Sequence, residues 1–261
     1  MELKEAIECG DVDGVKRLVS INPSLASSPI EWGHPTPCRA DPLHYVSDRA
    51  FVDRNRHDRQ ADIAVLLLEA GASVTGTNEE ETLLHGAVSL GQAGVAMVLL
   101  DYGADIEATG QYPGIPDGTP LDFAVHFGMV ESIDLLVQRG AEIKSARMAA
   151  GAGQLEKLKL LPMPEPADVL RCAVVCDRTH IVDWIFTQGL SVDTPVQQAT
   201  CLHWAAWEGK PVMTDHLLKL GADRTCRDRN HDMTPREWAA FRRKGLGSGW
   251  GHDEVIARLG A

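Results

Sequence analysis

The sequence predicts an all-α solenoid of stacked helix-turn-helix units, and three observations predict it. A helix-start signal recurs as Asp41-Pro-Leu-His44, Thr82-Leu-Leu-His85, Thr119-Pro-Leu-Asp122, Thr200-Cys-Leu-His203 and Thr234-Pro-Arg-Glu237. A stop signal recurs as Leu67-Leu-Glu-Ala-Gly-Ala72, Leu99-Leu-Asp-Tyr-Gly-Ala104, Leu135-Leu-Val-Gln-Arg-Gly-Ala141, Ile185-Phe-Thr-Gln-Gly-Leu190 and Leu217-Leu-Lys-Leu-Gly-Ala222. The spacing is regular: 32 residues separate Gly71 from Gly103, and 32 separate Gly189 from Gly221.

The stretch 199–223 shows why each signal is there. Thr200 can accept a hydrogen bond from a free N–H of the first turn. Leu202, Ala205 and Ala206 fall at i, i+3 and i+4, a narrow apolar stripe of mostly small residues that admits a second helix closely. That second helix carries Val212, Leu217 and Leu218 and stops at Gly221, which can take the left-handed conformation. Proline follows the cap in three of the five start signals, as suits a first helical position. One such hairpin is too small to bury its own apolar face, so it needs copies on both sides.

A period of about 33 with a Thr-Pro-Leu-His-x-Ala start resembles the ankyrin-repeat family, over essentially the full length of the chain. The resemblance implies a single ankyrin-repeat domain over 1–261, about eight helix-turn-helix units with short β-hairpin fingers. Taken in order, the first unit (about 1–28) carries Leu3, Ala6 and Ile7 as its stripe, and its charged residues suit a terminal cap. Residues 27–40 are too rich in proline for a helix or central strand and read as an extended finger loop. Units at 41–77 and 78–110 follow, the former with surplus residues at 51–60. A second finger insertion at 110–118 precedes the unit at 119–143. Steps of 25 and 24 between Ala124, Ala149 and Ala173 leave almost no finger before the units at 144–164 and 165–194. Units at 199–228 and 233–261 end the series, the last with a loop expected at 242–252.

Composition bounds the partners. With 37 acidic against 25 basic residues, net charge −12, the chain lacks the clustered Lys and Arg that a phosphate backbone requires, so no nucleic acid is expected. No signal peptide or membrane span is legible. The six cysteines show no disulfide framework, and reduced thiols in a cytoplasmic protein are the expectation.

By the family resemblance, residues opposite the Leu/Ala/Ala stripe of each first helix line a concave groove. Alignment places there Glu8 and Cys9, Asp48 and Arg49, Ser89 and Leu90, His126 and Phe127, Val175 and Cys176, Trp207 and Glu208, and Phe241 and Arg242. Exposed helix positions usually hold Lys, Glu or Gln, so a row of aromatics beside a few charges reads as material for binding. The candidate binding residues are Trp207, Glu208, His126, Phe127, Asp48, Arg49, Phe241 and Leu90. His44, His85 and His203 occupy the slot to which the resemblance gives a structural hydrogen bond. Tyr45, Phe123, Trp204 and Trp238, one position further on, are expected in the core.

Catalytic signatures are missing: there is no G-x-S-x-G elbow, P-loop, H-E-x-x-H or Rossmann glycine set. His126 is the one weak catalytic candidate, with Asp48, Glu208 or Asp122 as partners. His34, Cys38, Asp41 and His44 are metal-ligand types, but the prolines among them give no tetrahedral spacing, so neither metal nor cofactor is expected. The run Arg54 to Arg59 reads as a solvated loop. Three functions follow. The first is a scaffold taking a protein or peptide into the groove. The second is a small-molecule binder or unconventional enzyme, in which the insertions close a pocket. The third is a structural subunit of a larger assembly.

Overall fold

The computed structural model describes residues 2–33, 38–52, 58–76, 81–246 and 250–260, and of residues 49–52 the backbone. Helices follow one another in pairs: α1 (Leu3–Cys9) and α2 (Val12–Ile21), α3 (Pro42–Val52) and α4 (Gln60–Glu69), α5 (Leu83–Ser89) and α6 (Ala93–Asp101), α7 (Pro120–His126) and α8 (Val130–Gln138). The series continues with α9 (Ala146–Gly151) and α10 (Leu155–Leu158), α11 (Pro166–Val175) and α12 (Thr179–Thr187), α13 (Cys201–Trp207) and α14 (Pro211–Lys219), α15 (Pro235–Leu246) and α16 (His252–Leu259). The chain divides into two compact units, Met1–Ala124 with Glu131–Glu142, and Val125–Val130 with Ile143–Ala261.

The recurring start signal is a capping device. In α5 the Thr82 amide donates to His85 Nδ1 at 3.3 Å, and in α13 the Thr200 amide donates to His203 Nδ1 at 3.2 Å. Because Nδ1 accepts, the ring proton sits on Nε2, which donates to the carbonyl of Gly118 from His85 and of Met233 from His203, each at 3.0 Å. Each histidine thus ties a helix start to a backbone carbonyl some thirty residues further on, and burial holds both pKa values down. His44 differs: its Nε2 lies 3.6 Å from Asp48 Oδ1.

The stop signal is equally mechanical. After α4 the Gly71 amide donates to Leu68 O and the Ala72 amide to Leu67 O, and the same pair forms at Gly103 and Ala104, and at Gly221 and Ala222. These glycines have φ of 100°, 88° and 92°. A Cβ at any of them would meet nothing within 4 Å, so the left-handed backbone and not crowding selects glycine. The leucines whose carbonyls close the turn, Leu67, Leu99 and Leu217, are at most 1% exposed.

In the first unit, the stretch 27–40 contains an antiparallel pair, β1 (Ile30–Trp32) with β2 (Cys38–Ala40), with Ile30 opposite Ala40. A second finger pairs β3 (Gly110–Tyr112) with β4 (Ile115–Gly118). Helices α1, α3 and α5 pack in sequence, as do α2, α4 and α6.

In the second unit, α9, α11, α13 and α15 pack in that order. The described residues from 141 to 165 hold no strand, and α10 is a single turn, cut short before Pro162, Pro164 and Pro166. Where the loop 242–252 is expected, α15 runs on to Leu246, since no residue before Gly245 interrupts its pattern. His34 and residues 54–57 of the basic run lie outside the described residues.

Candidate binding site

Helices α13 and α15 pack side by side and meet through aromatic side chains. Trp204 and Trp207 stand at i and i+3 on α13, and Trp238 and Phe241 repeat that spacing on α15, so each helix turns two rings to one side. Trp238 meets Trp204 edge to face at 5.5 Å and Trp207 at 5.6 Å, while Phe241 stacks on Trp207 at 6.2 Å with 17° between the planes. Trp204, Trp207, Trp238 and Phe241, with His231 and Met233, line an apolar cavity of about 320 Å³.

Internal bonds fix these walls. The Trp204 indole donates to Val196 O at 3.1 Å, and the Trp238 indole donates to Asp228 Oδ2 at 2.9 Å. Asp228 also accepts from the amides of Asn230 (2.8 Å), His231 (2.7 Å) and Met233 (2.9 Å). Burial pushes the Asp228 carboxyl up, but the bonds from His231, Trp238, Met233 and Asn230 outweigh it and hold the pKa far below the usual carboxylate range. The loop 228–233 is therefore wound around one carboxylate and sets His231 and Met233 at the cavity wall. At the far end of α13, His252 Nε2 lies 2.9 Å from Trp207 O, and a Cβ on Gly209 would fall 2.1 Å from Trp250 O.

Cations surround the rings. The Arg242 guanidinium lies 4.8 Å from the centre of the Trp207 ring and that of Arg171 lies 5.5 Å from Trp204, both within cation–π range. Arg171 is 4% exposed and bonds Asp168 Oδ1 at 3.3 Å, and Arg147 pairs with Asp168 Oδ2 at 3.0 Å. Burial raises the Glu208 carboxyl, against the pull of Lys210, Arg242 and Arg171.

Of the residues singled out by sequence, Trp207 and Phe241 come together, and Glu208 follows at the end of α13, half-buried. His126 and Phe127 belong to the same unit and meet edge to face at 5.0 Å. Burial, then Arg171 and Arg147, against Asp168, push His126 down to about 4, so its ring is neutral at pH 7. Asp48 and Leu90 belong to the other unit, both half-buried, and the Arg49 side chain lies outside the described residues. Asp122 accepts from the Thr119 amide at 3.0 Å and hydroxyl at 3.2 Å, a helix cap. Val175 and Cys176, aligned with the groove, are 1% and 0% exposed.

Sequence reasoning set aside Trp204 and Trp238 as core; both are half-buried and form cavity walls. The signal was present as the paired i, i+3 aromatics of neighbouring units. Among the described residues no group of three or more His, Cys, Asp or Glu converges on a metal position.

Comparison with known proteins agrees with this architecture. A family model for ankyrin repeats in three copies matches residues 57–147, and a single ankyrin-repeat model matches 197–229. The chain carries ankyrin repeats over these two stretches. It is 27% identical over 187 residues to the transient receptor potential cation channel subfamily A member 1 homolog of Caenorhabditis elegans, covering 58% of this chain and 13% of that protein. It is 24% identical over 285 residues to the putative ankyrin repeat protein FPV022 of Fowlpox virus (strain NVSL), covering 92% of this chain and 45% of that protein. The chain thus spans less than half the length of either relative. Among solved structures, the human ASB11 ankyrin repeat domain superposes with a TM-score of 0.46 at 21% identity, covering 100% of this chain and 99% of that one.

Proposed function

We propose that this chain is a binding module for a protein or peptide partner and that the Trp204–Trp207–Trp238–Phe241 cavity seats the partner's main anchor. Ankyrin repeats are in general protein interaction modules. The observation that carries the reading is an apolar hollow of about 320 Å³, room for one bulky side chain, on a helix pair whose Phe241 is 62% exposed. Leaving Phe241 exposed and three indoles half-buried around a hollow costs solvation that Lys or Glu at those positions would avoid. No helix among the described residues is long and apolar enough to cross a membrane, and six cysteines without a disulfide framework suit a reducing compartment such as the cytoplasm.

The cavity also falls at the lower end of small-molecule site volumes, which supports a second reading as a pocket for a small apolar ligand. Affinity capture on the wild-type chain beside a folded Phe241→Ala variant, with proteins and extracted small molecules both identified by mass spectrometry, separates the two. A protein lost with the variant supports the first reading, and a small molecule lost with it supports the second. A capture profile unchanged by the variant contradicts both.

A further inference from the structure

Charge is divided unevenly between the two units. Met1–Ala124 with Glu131–Glu142 holds 23 Asp and Glu against 9 Lys and Arg, whereas Val125–Val130 with Ile143–Ala261 holds 14 against 16. The unit with the aromatic cavity is therefore slightly cationic within a chain of net charge −12. At physiological salt, charges beyond about 8 Å are largely screened, so a ligand at the cavity feels the local cations more than the chain's total.

Those cations are placed at the rings. Arg242, beside the cavity residue Phe241, holds its guanidinium 4.8 Å from the Trp207 ring centre and attracts the Glu208 carboxylate. Its Nε is buried and has no hydrogen-bond partner, while neither terminal nitrogen is among the buried unpaired atoms, so the end of the guanidinium is the part that an acceptor from outside the chain can reach. A quaternary or methylated ammonium would need open ring faces with a carboxylate available nearby. Here Arg242 and Arg171 already lie over Trp207 and Trp204, the Asp228 oxygens are taken up by four donors, and Glu208 already faces the charges of Lys210, Arg242 and Arg171. A cationic ligand is thus disfavoured on two counts.

We infer that the partner is an acidic segment, one that inserts a bulky apolar side chain into the cavity and sets an adjacent carboxylate on Arg242. The inference rests on the proposed binding function and adds the chemistry of the partner. Arg242 then supplies a planar donor pair and the cavity supplies apolar burial, the combination that fixes both register and charge preference.

The test is selection of a displayed library of random dodecapeptides on the full chain, repeated on Trp207→Ala, Phe241→Ser and Arg242→Glu. Circular dichroism of each confirms folding, and the exposed Phe241 site serves if Trp207→Ala unfolds. The expected pool carries Asp and Glu around a Trp, Phe or Leu and is lost on the Trp207 or Phe241 variant. The best acidic peptide is expected to bind Arg242→Glu at least tenfold more weakly, and that variant to select a neutral or basic pool. A neutral or basic pool on the wild type, still dependent on Trp207 or Phe241, overturns the acidic partner and leaves the binding function standing. Absence of enrichment, or a pool indifferent to both aromatic variants, overturns the two together.

Discussion

The two units use one set of devices to fold and different residues at the ends of their first helices. In the acidic unit, Tyr45 donates to Glu8 and packs edge to face on Trp32, and Asp48 stands beside His44. In the other unit the corresponding helix ends carry Trp207 and Phe241 around a cavity. Thr82–His85 and Thr200–His203 meanwhile cap their helices with almost identical geometry, and Leu67–Gly71 and Leu217–Gly221 close theirs alike. What repeats is structural, and what varies between repeats is free to recognise something.

The largest expected effect tests the shared devices. Leu67→Ala and Leu217→Ala remove side chains that are 0% exposed in the two units, and each should cost about 3 kcal/mol in urea unfolding. A cost confined to one of them would break the claim of equivalence.

Asp228→Asn probes the loop that sets the cavity wall. Replacing a carboxylate that accepts four hydrogen bonds should destabilise the chain by about 2 kcal/mol at pH 7 and loosen the cavity wall, read by urea unfolding and tryptophan emission. Because the folded pKa lies below the unfolded one, the stabilisation is present above the ordinary carboxylate range and fades as pH falls below about 4.

Histidine titration gives a smaller effect. Burial lowers the pKa of His85 in the acidic unit and of His126, His203 and His252 in the other. The unfolded chain therefore takes up protons first, and this contribution is complete above the ordinary 6.5 and lost as pH falls toward about 4, the value to which His126 is pushed. Thermal melts at pH 7 and pH 5 should show a smaller drop for His126→Asn than for the wild type. The smallest stability effect is expected at Phe241→Ala, within about 0.5 kcal/mol, since the ring is largely exposed.

The fold was legible because caps, stop glycines and period are local chemistry repeated in register. The candidate site was legible only in part. Tyr45, Phe123, Trp204 and Trp238 share one repeat position, yet the first two are 0% and 1% exposed while the tryptophans line a hollow. Whether that position is covered depends on the following loop, and the loop 228–233 is drawn toward Asp228 in a way no repeat pattern encodes. Val175 and Cys176 misled the alignment for a different reason. With almost no finger between repeats, helices approach closely: a Cβ on Gly128 would lie 2.5 Å from Val175 O, and one on Gly151 2.6 Å from Val125. The equivalent face is closed there.

The most direct measurement is fluorine NMR of the chain labelled with 5-fluorotryptophan, titrated with indole to millimolar concentration as a mimic of an apolar anchor. Six resonances report at once, with Trp32, Trp184 and Trp250 serving as controls. Saturable shifts at Trp204, Trp207 and Trp238 alone are expected if the cavity seats an anchor. Shifts confined to the control tryptophans, or no saturable shift at any of the six, would contradict it.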